Sequence, residues 1–111
     1  MKNVLMSLMV CAFMGQAGFV MAEGDPIEGK KKFYTCAGCH SVTGYTNTYP
    51  TYHVPRIGGQ HADYVIAALK SYKDDERKHG SMKGNSDSLS DQDMADIAAY
   101  VSKFRGMNLS L

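Results

Sequence analysis

The chain has almost no surplus charge. Its 111 residues carry 12 Lys and Arg against 11 Asp and Glu. A nucleic-acid partner asks for a clustered basic excess, and none is present. There is no internal repeat, no low-complexity tract and no strand alternation. No nucleophile–base pair stands out, so the chain does not read as an enzyme. Cysteine is scarce: Cys11, Cys36 and Cys39 are the only three. The length suits one small domain.

The first residues, MKNVLMSLMVCAFMGQAGFVMA, hold one basic residue, Lys2, then an apolar run from Val4 to Phe13. The stretch closes on Val20-Met21-Ala22, a small-residue cleavage site. This is the layout of a secretory signal peptide over 1–22, leaving 23–111 as the mature domain. The competing reading is an uncleaved anchor, since Asn3 to Ala22 is just long enough to span a membrane. Glycines and a glutamine interrupt the segment, and acidic Glu23 and Asp25 follow it. Cys11 lacks the small residues that precede a lipoprotein cysteine. Its removal leaves Cys36 and Cys39 in an oxidising compartment. Lys2 leaves too, and the formal charge falls to zero. So short a chain has a marginal core, and a large cofactor would supply one.

Three helices are expected. Asp25 suits an N-cap, Pro26 the first helical position and Glu28 a capping-box return, so a helix opens there and runs toward residue 40. Gly29 weakens it but permits another helix to cross closely. Residues 60–77 place His61, Tyr64, Val65, Ala68, Leu69 and Tyr72 at helical spacing. Ser90 caps a last helix with Met94, Ile97, Ala98, Val101 and Phe104 on one face, acid first and base last. Residues 41–59 and 78–89 read as loops. The first is long for a loop, and such loops tend to be functional.

Residues 36–40 read CAGCH. A redox dithiol would sit at a helix start, where the dipole lowers the thiol pKa. This motif ends a helix. A zinc site needs two further ligands, and His53, His61 and His79 are scattered. Covalent haem suits each residue. Positions 36 and 39 share a helical face, so both sulfurs reach one porphyrin edge and form thioethers. His40 then approaches the iron. C-x-x-C-H is the attachment pattern of c-type haem.

The other face of the iron decides function: a strong sixth ligand means electron transfer, an open face means ligand binding. Met94 belongs to the core and Met107 to a frayed end. Met82 lies in HGSMKGNS with no apolar neighbour, which suits a thioether aimed at iron. His79 is its rival.

These segments resemble the small soluble class I cytochromes c of bacteria, in the branch with single-haem periplasmic carriers and the halves of tandem two-haem ones. The resemblance spans nearly all of residues 25–104. It is most specific at CAGCH, at PRIGGQHADYV (55–65), and at SMKG and LSDQDMADIAAYVS between 81 and 102. It implies an all-α class I cytochrome c fold, three main helices and long loops around one covalent haem c. It implies a first and a last helix crossing near Gly29 and Phe33, against Ile97 and Val101. It places the distal methionine about seven residues before Leu89, at Met82. It also implies that the Pro55 carbonyl accepts the ring N–H of His40, and Arg56 becomes a partner for a haem propionate or a plain surface arginine. The loop with Tyr45, Tyr49 and Tyr52 is longer than in compact relatives; it covers a haem edge, meets a partner, or is ordinary surface.

The expected function is a periplasmic electron carrier with His40/Met82 ligation. Its partners would be a cytochrome bc complex, a terminal oxidase or a periplasmic dehydrogenase. It would meet the membrane only through them, as a monomer or weak dimer. The alternatives are a fixed haem-bearing relay subunit and a haem sensor with a weak sixth ligand. Lys30, Lys31, Lys32 and Lys83 either steer docking or form a solvated face.

Overall fold

The computed structural model describes residues 23–104. The signal-peptide segment and Met107 lie outside the described residues. Within them the chain forms α1 (Pro26–Lys32), α2 (Tyr34–His40), β1 (Thr46–Thr48), β2 (Thr51–His53), α3 (Ala62–Lys73), α4 (Gly80–Ser86) and α5 (Asp91–Ser102). Helices dominate, as expected. None among the described residues is long and apolar enough to cross a membrane.

The anticipated first helix is two, α1 and α2, joined at Phe33. That residue keeps near-helical dihedrals and donates its N–H to Gly29. Asp25 caps α1, accepting from Ile27 N at 2.8 Å. The expected return from Glu28 does not form. The Asp25 N–H goes instead to Asp96 Oδ1 at 2.8 Å, and Glu28 pairs with Lys31. The capping box belongs to α5, where Ser90 and Asp93 satisfy each other's backbone N–H.

α1 and α3 both pack on α5, and α4 packs on α3. The α1–α5 crossing has no room for side chains at two points. A Cβ on Gly29 would overlap the carbonyl of Asp96, and one on Gly24 the carbonyl of Ala95. Behind the crossing, Phe33, Met94, Ile97 and Val101 are fully buried, each contributing about 1.5–3 kcal/mol by leaving water. The Phe33 and Tyr100 rings meet at 5.4 Å. On α3 only Val65 and Leu69 of the anticipated stripe are buried; Tyr64 and His61 are exposed.

Two segments depart from expectation. The loop 78–89 contains α4. The loop 41–59 contains an antiparallel hairpin, with Asn47 opposite Tyr52 and a turn at Tyr49-Pro50.

Candidate functional site

His40 is the last residue of α2, one turn after Cys36 and next to Cys39. Cys36 is partly buried against the core cluster and Cys39 is exposed, with no disulfide between them. Burial pushes the Cys36 thiol above its ordinary value, against a smaller pull from the Thr35 hydroxyl. An active dithiol needs the opposite shift. Among the described residues no three of His, Cys, Asp and Glu gather to hold a metal ion, so these cysteines find no zinc partners.

His40 Nδ1 lies 2.8 Å from the carbonyl oxygen of Pro55. A carbonyl only accepts, so Nδ1 carries a proton and Nε2 is the nitrogen that can offer a lone pair to a metal. The bond also fixes the ring plane, as an outer partner does for a metal-bound imidazole.

Met82 is not the isolated loop residue the sequence implied. It lies on α4, partly buried against the core cluster. α4 is made of GSMKGNS, in which Gly, Ser and Asn are poor helix formers, and side chain–backbone bonds run along it. His79 caps it, its Nδ1 accepting from Met82 N at 3.3 Å. Buried Ser86 donates to Met82 O at 2.9 Å, and Asn85 to Ser81 O at 2.8 Å.

Two of the rival histidines, His79 and His53, are engaged through Nδ1. His79 spends Nδ1 on the cap, with its ring edge-on to Tyr52 at 4.7 Å and to Tyr72 at 6.1 Å. His53 Nδ1 lies 3.0 Å from Thr46 Oγ1 inside the hairpin. His61 holds the N-cap position of α3 without making a cap bond.

Cys36, one turn before His40 on α2, and Met82 on α4 both pack against the same apolar cluster. Beside His40 the buried Ser41 hydroxyl has no partner among the described residues. This donor set fits a large apolar ring system with a central iron: sulfur for covalent bonds, nitrogen and soft sulfur for the metal.

Of the four lysines, Lys30 is exposed, and the other three pair with carboxylates of the chain. Lys31 pairs with Glu28 at 2.5 Å and Lys83 with Asp87 at 2.9 Å. Lys32 bridges Asp93 at 2.7 Å and Asp96 at 2.5 Å, and both carboxylates raise its pKa. Sequence spacing could not reveal the Lys32 pairs, because its partners lie over sixty residues away.

A cytochrome c family model matches residues 27–104. The chain is 36% identical over 100 residues to cytochrome c4 of Pseudomonas aeruginosa, covering 90% of this chain and 47% of that protein. It is 42% identical over 82 residues to cytochrome c-554(548) of Halomonas halodenitrificans, covering 71% and 95% respectively. A crystal structure of reduced recombinant cytochrome c4 from Pseudomonas stutzeri aligns with a TM-score of 0.57 at 26% identity, covering 74% of this chain and 50% of that one. The chain thus spans about half the length of the cytochrome c4 relatives and nearly all of cytochrome c-554(548). The matched region includes CAGCH and its fold is the class I one. This chain belongs to the cytochrome c family and carries a covalently bound haem c.

Proposed function

We propose that the chain is a periplasmic electron-transfer protein with no catalytic activity of its own, exported by removal of residues 1–22. Bound haem c supplies a one-electron Fe(II)/Fe(III) couple. Cys36 and Cys39 hold it through thioethers. His40 Nε2 is the proximal ligand and Met82 the distal one. The soft thioether favours Fe(II) and raises the potential. The burial of Met82 at the core rim and the three bonds that hold α4 keep its sulfur in place through both oxidation states. Partners are redox proteins of the same compartment: a cytochrome bc complex, a terminal oxidase or a periplasmic dehydrogenase.

The observation that carries this reading is the 2.8 Å bond from His40 Nδ1 to Pro55, which orients the ring and leaves Nε2 as the ligating atom.

The test is the absorption spectrum of the exported protein, oxidised and reduced. A sharp c-type α-band on reduction and a weak red sulfur-to-iron band when oxidised are expected. Met82→Ala should abolish the second and keep the first. A red band that persists in Met82→Ala refutes Met82 as ligand. Rapid carbon monoxide binding to the reduced wild type at neutral pH would instead indicate a sensor. Co-purification in a stoichiometric complex would indicate a fixed relay subunit.

A further inference from the structure

The hairpin and the methionine-bearing helix touch, and the contact reaches both sides of the proposed iron site. Tyr52, in β2, lies three residues before Pro55, whose carbonyl holds His40. The Tyr52 hydroxyl lies 2.9 Å from Ser81 Oγ, and its ring meets His79 edge-on at 4.7 Å. Ser81 directly precedes Met82, and His79 accepts the Met82 N–H. Tyr72 stands near the same histidine at 6.1 Å and carries Arg77 over its own ring at 4.8 Å.

We infer that Tyr52 is a positioning residue for Met82, tying the segment that orients the proximal histidine to the segment that presents the distal sulfur. The inference rests on Met82 being the distal ligand.

The physical need is plain. α4 is a seven-residue helix with two glycines, too short to be stable by itself. Its position is therefore decided by outside ties. A methionine held by a loose segment yields readily to an external ligand. One held by a tethered segment does not. Tyr52 supplies a hydrogen bond and a ring contact on the two residues that frame the Met82 backbone. The bonds of Asn47 to Pro50 O and of Thr51 to Thr48 O close within the hairpin and stiffen the platform from which Tyr52 reaches.

The test is imidazole binding to the oxidised holoprotein, followed by loss of the red sulfur-to-iron band. Tyr52→Phe keeps the ring and removes the hydroxyl; it should bind imidazole about fivefold more tightly, the equivalent of one net hydrogen bond. Ser81→Ala should do the same. The double variant should add nothing, because both changes remove one bond. Ser102→Ala, which loses a bond to Ala99 O within α5, should leave imidazole affinity at the wild-type value. Unchanged affinity in Tyr52→Phe, or additive effects in the double variant, overturns the inference. So does an equal change in Ser102→Ala, which would make the effect one of general stability. A wild-type protein with no red band refutes Met82 ligation itself, and this inference with it.

Discussion

Lys32 Nζ stands 2.5 Å from Oδ2 of Asp96, joining the first helix to the last. Asp96 is buried, and its other oxygen takes the Asp25 N–H and the Gln92 amide, each at 2.8 Å. Both oxygens of the buried carboxylate are thereby hydrogen-bonded. Asp96→Ala should cost about 2 kcal/mol, the scale of hydrogen bonds to a charged group. Denaturant unfolding of the holoprotein measures it, and a midpoint equal to wild type would refute the role.

Acid should dismantle the same network. The Lys32 ammonium and the Ser90 backbone and hydroxyl hold Asp93 down to about 2. Burial pushes Asp96 up, yet Lys32, the Asp25 N–H and Gln92 outweigh it and leave it below 3.8. A carboxylate with a depressed folded pKa stabilises fully above its unfolded value. That contribution is lost as pH falls from about 4 toward 2. Asp93→Asn should show a shallower loss of stability across this window, read from thermal midpoints taken at stepped pH. An identical slope would contradict the assignment.

Gly29→Ala tests the helix crossing. The obstructing atom is backbone, so neither helix yields by turning a side chain. Separating them should cost about 1–3 kcal/mol, as overpacking does. Gly38, whose Cβ position is open space, is the control. Equal melting temperatures for Gly29→Ala and Gly38→Ala would count against the close crossing.

The crossing shows why some features were legible. Gly29 announced a near approach, Asp25 and Ser90 announced helix starts, and the apolar spacing of Met94, Ile97 and Val101 announced the buried face of α5. CAGCH carried the cofactor chemistry in five residues. Other features were invisible for physical reasons. α4 has neither propensity nor periodicity, and its helicity comes from bonds by His79, Ser86 and Asn85. The hairpin has only three residues per strand, too few for alternation to be read. Lys32 looked like surface charge because its partners are distant in sequence. Met82 reads in the sequence as a methionine standing alone, whereas it adjoins the core.

Cysteine substitution should separate attachment from ligation. Cys36→Ser and Cys39→Ser should each retain haem through one thioether, with the reduced α-band moved to the red. The double variant should release its haem to acidified acetone. Haem that stays bound after that extraction would place the covalent link elsewhere.

Ionic strength should matter little to partner encounter. Lys31, Lys32 and Lys83 each pair with a carboxylate of the chain, and exposed charge is screened at physiological salt. Lys83→Gln should change the rate of electron delivery to a membrane oxidase less than twofold. A steep fall on raising salt from low to physiological strength would restore a steering role to the lysines.

The bond from Asp25 to Asp96 spans 71 positions, so the fold closes only when almost the whole described chain is available. Closing a flexible loop of that length carries an entropic cost that grows with the logarithm of its size. A cofactor anchored at 36 and 39 and bound again near 82 would divide that loop into shorter ones before the ends meet. Haem attachment is then a step in assembly as well as the source of redox chemistry. A chain denied its haem should be slow to bring α1 onto α5, and open to proteases in the meantime.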